Sequence, residues 1–151
     1  LTIVSNDVNN EVAVNIFDLI DPDNPPLILN PIARGDVISS VAYTPDGNTL
    51  LFVGGGADGE DNSIFSVALE TAEDNRLERG RYAEVVPTAD GLFAMISEWR
   101  VVTDPREPSY LNLVIMDLND TDNVDTLFEG AEIVDDQVTN QRFIYPLGWR
   151  G

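Results

Sequence analysis

Apolar residues in this chain fall in short runs separated by polar turns. The clearest series is Ser39 to Leu69. Val41-Ala42-Tyr43-Thr44 leads into Pro45-Asp46-Gly47, Thr49 to Val53 runs back, and Ile64 to Leu69 follows a polar loop. Proline presets φ at the first central position of a turn, and glycine accepts the positive φ of a tight reversal. Two apolar runs joined by Pro-Asp-Gly predict a β-hairpin, with Ile64 to Leu69 as its third strand.

The same pattern is then written again. Thr88-Ala89-Asp90-Gly91 repeats Thr44-Pro45-Asp46-Gly47, Leu92 to Ser97 repeats the return strand, and Leu111 to Leu118 repeats the third. The ending Ile115-Met116-Asp117-Leu118 has an earlier copy in Ile16-Phe17-Asp18-Leu19. Arg34-Gly35, Arg79-Gly80 and Glu129-Gly130 close successive copies. The copies are about 45 to 50 residues apart, the length of one four-stranded propeller blade.

The chain therefore reads as all-β: one β-propeller segment of about three blade-equivalents, each full blade having four antiparallel strands. Residues 1–35 are a partial blade, 36–80 a blade, 81–133 a blade, and 134–151 the first strand of a further one. In the partial blade Glu11 to Leu19 alternates at strand period, Asp21 to Pro26 is a loop, and Leu27-Ile28-Leu29 is the outer strand. In the second blade the outer strand is weakly marked, near Arg76 to Glu78, and Thr71 to Asn75 is expected to make one helical turn. In the third, Ala83 to Val86 is the inner strand and Asp125 to Phe128 the outer. Glu98 to Tyr110 is expected to be a long inserted loop. Phe143-Ile144-Tyr145 and Trp149 are expected in the further strand. No helix of ordinary length is expected. Propellers usually have four to eight blades, so three blade-equivalents do not comfortably close a ring. Two arrangements satisfy that geometry: a piece of a longer propeller, or a homodimer in which each copy lends its last strand to the other's incomplete first blade and so protects its edges.

Charge narrows the function. There are 27 acidic residues against 8 basic ones, all Arg, for a formal charge of −19. Such a field repels phosphates and anionic membranes, which excludes nucleic acid, and attracts cations and basic partners. No apolar run reaches membrane-spanning length, so membrane insertion is not expected. The chain has no Cys and no His. Disulfides, thiolate metal sites and Ser-His-Asp chemistry are therefore absent from it. No Gly-x-Ser-x-Gly nucleophile motif occurs, and the chain is read as non-catalytic. A Cys-free chain fits a secreted or periplasmic domain without fixing the compartment, and an extracytoplasmic location is expected.

Two acidic loops carry the candidate metal ligands. Asp58, Glu60 and Asp61 follow a glycine run, and Asp117, Asp120 and Asp122 follow the third strand of the third blade. Calcium takes six to eight oxygen ligands, and alternate acids in a turn can aim several inward, but neither loop has EF-hand spacing. Trp99, Arg100, Arg106 and Tyr110 fall in the inserted loop and are the candidate contact residues for a protein partner or small ligand. The competing reading tucks Trp99 and Tyr110 back onto the blade edge.

At Tyr43-Thr44-Pro45-Asp46-Gly47 with Leu50 to Val53, and again at Thr88-Ala89-Asp90-Gly91 with Ile115 to Leu118, the chain resembles the TolB-like, or WD40-like, β-propeller repeats. Thr stands where that family usually has Ser, and Ala89 stands where it has Pro. The resemblance covers two full copies and two partial ones. It implies the propeller fold, and it implies roles such as protein-binding platform, cell-envelope assembly component, sensor domain or gating half of a serine peptidase. None of these roles lives in the repeat motif itself.

Overall fold

A computed structural model describes residues 2–6, 12–17, 20–21, 23, 25, 27–29, 37–55, 62–78, 80–100, 110–134 and 137–146. Among these there is no helix. Strands β1 (Thr2–Asn6), β2 (Val12–Ile16) and β3 (Leu27–Leu29) form a three-stranded antiparallel sheet. Strands β4 (Val37–Tyr43), β5 (Thr49–Gly55), β6 (Ser63–Ala68) and β7 (Glu73–Glu78) form a four-stranded meander. Strands β8 (Tyr82–Pro87), β9 (Phe93–Arg100), β10 (Tyr110–Asp117) and β11 (Val124–Phe128) form a second. A short ribbon, β12 (Glu132–Val134) with β13 (Gln137–Thr139), follows. The two meanders are the two full blades expected from the repeat, residues 36–80 and 81–133, and are called the first and second blades from here on.

The repeated Thr-x-Asp-Gly sequence makes the same turn twice. Thr44 N–H donates to the Thr49 carbonyl and Gly47 N–H to the Thr44 carbonyl, both at 2.9 Å. In the second copy Thr88 N–H donates to Phe93 (2.8 Å) and Gly91 N–H to Thr88 (2.9 Å). Gly47 and Gly91 hold φ of +72° and +71°, the left-handed region that disfavours a side chain. The recurring Leu of the third strand has a matching job. Leu69 N–H donates to Asn48, and Leu118 N–H to Leu92, each at 2.9 Å, closing the third strand onto the turn.

The core is a stack of sheets. Leu51, Val53 and Ile64 on one face of the first blade pack with Val85, Ala94, Ile96, Val114 and Met116 of the second. Leu50, Phe52, Phe65 and Val67 on its other face pack with Val14 of β2. Phe52 and Phe65 stack with centroids 5.0 Å apart. Strand β5 is buried on both faces, which is why Leu50 to Val53 is a continuous apolar run and does not alternate. Two serines lock the blades together at the inner strands. Ser39 Oγ donates to the Ala83 carbonyl (2.9 Å), and Ser40 Oγ accepts from Val85 N–H (3.2 Å).

Some element boundaries differ from the pattern. Strand β4 starts at Val37, with a bulge between Ile38 and Ser40, because Val37 and Ile38 pair with Gly55 and Gly54 at the end of β5. The helical turn expected at Thr71 to Asn75 does not form. Ala72 takes a positive φ of 54°, Thr71 Oγ1 accepts from Glu73 N–H (3.3 Å), and β7 begins at once. Strand β9 runs on to Arg100, so Glu98, Trp99 and Arg100 belong to it and Tyr110 opens β10. The strand expected at Phe143-Ile144-Tyr145 is absent: residues 141–146 are irregular, after a left-handed Asn140 (φ 51°) that ends the β12–β13 ribbon. Trp149 lies outside the described residues.

Candidate functional site

The paired turns build a cleft between the blades. A Cβ placed on Gly91 would lie 3.3 Å from Cδ of Pro45, so the second turn rests on the first turn's proline ring. Beside that contact a cavity of about 300 Å³ is lined by Thr44, Asp46, Leu51, Leu77, Asp90 and Leu118, among others. Its two carboxylates are tied into their own turns. Asp46 Oδ1 accepts from the Thr44 hydroxyl (2.6 Å) and from Asn48 N–H (3.1 Å), and Oδ2 accepts from Asn48 Nδ2 (2.9 Å). Asp90 Oδ1 accepts from the Thr88 hydroxyl (2.5 Å) and from Leu92 N–H (3.1 Å). The threonine hydroxyl is the largest cause holding each carboxyl below its ordinary range, with the backbone N–H next. Both carboxylates thus serve as hydrogen-bond acceptors within their own turns.

Of the candidate contact residues, Trp99, Arg100 and Tyr110 lie at the far end of the second blade, at the last pairs of the β9–β10 ladder. Arg100 pairs across the ladder with Tyr110, and Trp99 with Leu111. Arg100 bonds Glu98 at 3.1 Å, two residues along the same strand face. Tyr82 opposes Glu98, and burial with the Glu78 and Glu98 charges pushes its hydroxyl up to about 12. Trp99 points to the opposite face and meets Phe143 edge-on, with centroids 6.1 Å apart and planes at 65°. One residue pair back, Ser97 Oγ donates to the Ile144 carbonyl (2.8 Å). The segment after β13 therefore crosses the face of the second blade that points away from the first. Phe143 is 55% exposed and Tyr145 45%. Trp99 is half-buried under Phe143, so it does tuck onto its own chain, while the aromatic surface passes outward to Phe143 and Tyr145. The sequence pattern read those two as strand residues. Their signal was Pro146 directly behind them.

The acidic candidates are dispersed or lie elsewhere. Asp117 Oδ1 accepts from Asn119 N–H (2.8 Å) as a turn device, and Asp120 and Asp122 are exposed. Among the described residues no three metal-ligating side chains converge. Asp58, Glu60, Asp61 and Arg106 lie outside the described residues. Asn62, at the end of the first acidic loop, is anchored: its carbonyl accepts from Tyr82 N–H (3.2 Å).

No protein-family model matches the chain, and no curated protein does. Solved structures do. TolB from Acinetobacter baumannii superposes with a TM-score of 0.64 at 18% identity, over 85% of this chain and 30% of that one. The tricorn protease gives 0.62 at 11% identity, over 86% of this chain and 12% of that one. A structure from work on two prolyl endopeptidases gives 0.56 at 15% identity, over 79% and 19%. The chain thus spans less than a third of the length of each of these three structures. At these identities the likeness establishes the fold alone: two four-stranded blades stacked as in a β-propeller.

Proposed function

We propose that this chain is a propeller segment that works as a non-catalytic binding module, taking a protein partner on the aromatic surface of its second full blade. The observation that carries this reading is the exposure of Phe143, packed edge-on against Trp99, and of Tyr145 two residues on, with Arg100 and Tyr110 on the other face of the same sheet end. Aromatic and Arg side chains dominate binding hot spots because they bury large area with little rotamer loss. The resemblance of its repeats to TolB-like propellers, whose roles include protein-binding platforms and cell-envelope assembly, favours a protein partner and an extracytoplasmic location. A second reading, an accessory propeller segment of a larger envelope enzyme such as a serine peptidase, draws on the tricorn and prolyl endopeptidase likenesses.

The test is quantitative binding. Proteins retained by the immobilised chain from extract of its source cells are identified, and each is titrated against the wild type, a Phe143→Ser/Tyr145→Ser variant and an Asp46→Asn variant. The reading expects the aromatic variant to weaken one partner at least tenfold and Asp46→Asn to leave it unchanged. A partner held equally by all three overturns it. The peptidase reading expects the retained partner to be a substrate cleaved by the full-length protein.

A further inference from the structure

Each full blade ends in an outer strand that, among the described residues, pairs on one side only, and such an edge presents backbone donors and acceptors. The two outer strands are protected very differently. Strand β7 reads Glu-Asp-Asn-Arg-Leu-Glu, and charges guard it against pairing. Strand β11 reads Val-Asp-Thr-Leu-Phe, and all five residues are exposed. Val124 is 42% exposed, Leu127 43% and Phe128 61%. Among the described residues only β10 pairs with it. The register shift opposite Leu113 and Val114 leaves Leu127 as the extra residue between Thr126 and Phe128. Three apolar side chains in five residues thus stand on the open edge of one full blade, while the outer strand of the other full blade is charged. Acids frame the strand: Asp120, Asp122, Asp125 and Glu129 are all exposed.

We propose that the β11 edge accepts an extended basic segment of a partner protein as a fifth strand of the blade. Backbone hydrogen bonds supply affinity in this mode, and alternate side chains supply specificity. Leu127 and Phe128 meet the apolar residues of the incoming strand, and Asp122, Asp125 and Glu129 meet its Arg or Lys. Charge selects this occupant over a second copy. Antiparallel pairing of two β11 strands would bring Asp125 and Glu129 of both chains together, each chain carrying −19. The site is the open backbone edge of β11, whereas Phe143 and Tyr145 lie on a segment that meets the chain just beyond that strand, at Gly130.

The probe is a synthetic ten-residue peptide alternating Val and Arg, with a Val/Glu peptide as its control. Binding is measured by calorimetry, and backbone hydrogen exchange locates it. The Val/Arg peptide is expected to bind, to slow exchange of β11 amides at least tenfold and to leave β7 amides unchanged. The Val/Glu peptide is expected not to bind. A Leu127→Lys/Phe128→Lys variant is expected to lose at least tenfold in affinity. Absence of binding overturns the proposal. So does binding without protection of β11, which would be charge attraction alone. Protection of β11 that appears with protein concentration and no peptide would give the edge to a second copy and also overturn it.

Discussion

Thr44 and Thr88 each fasten both ends of a turn with one hydroxyl. The oxygen accepts from the N–H of Thr49 (3.1 Å) or Phe93 (3.2 Å), and its proton goes to Asp46 or Asp90. Serine and threonine present the same hydroxyl, so the Thr found where TolB-like repeats usually have Ser leaves this device intact. The carboxyls titrate below the ordinary 3.8 in the folded chain. A depressed folded value means that the stabilisation is present above the unfolded value and is lost as pH falls through the folded one. The double variant Asp46→Asn/Asp90→Asn is therefore expected to show a flatter fall of the urea midpoint below about pH 4 than the wild type. Equal slopes would place the acid sensitivity on other carboxylates. The turn residues were legible in the sequence, because a turn needs neighbours only a few positions away.

At the scale of elements, the recurring closing pair Glu129-Gly130 shows how a visible pattern can hide its cause. Gly130 N–H donates to the side-chain oxygen of Asn112 (2.9 Å), and its carbonyl accepts from Arg142 N–H (2.6 Å). A Cβ there would lie 1.9 Å from the Leu111 backbone oxygen. Gly130→Ala is expected to cost about 1–3 kcal/mol or more, read as a lower urea midpoint, because backbone and not a flexible side chain must move. Gly47→Ala meets nothing within 4 Å and carries only the strain of its φ, about 1 kcal/mol. If Gly130→Ala proved the milder of the two, the close approach to Leu111 would be relieved cheaply. The strands β5, β6, β8, β10 and β11 follow the apolar runs closely. Strand β7 does not, since Glu-Asp-Asn-Arg has no strand pattern and pairs only because β6 offers it an edge. The extension of β9 through Trp99 was equally hidden. It exists because β10 continues to Tyr110 opposite it.

For the whole molecule, the charge of −19 acts on every element at once. Self-repulsion opposes compactness and is screened by salt, whose Debye length falls from about 30 Å at 0.01 M to about 8 Å at 0.15 M. The urea midpoint is expected to rise across that range of sodium chloride. A flat or falling midpoint would mean that local ion pairs outweigh the global field. Strand exchange between two copies meets an obstacle at this scale. Residues 141–146 would have to leave their own second blade, where Ser97 holds Ile144 and Trp99 packs on Phe143.

The sequence by itself determined the all-β class, the repeat length, the two turns and the strands buried on both faces, because each is written in contiguous residues as turn chemistry and apolar runs. It also determined the exclusion of thiol and histidine chemistry and the strong acidic field. Only the tertiary structure decided which carboxylates stay apart, which aromatic residues face outward and which outer strand is left apolar and open. Those outcomes depend on what each residue meets from strands 15 to 50 positions away, and local pattern carries no record of contacts at that range.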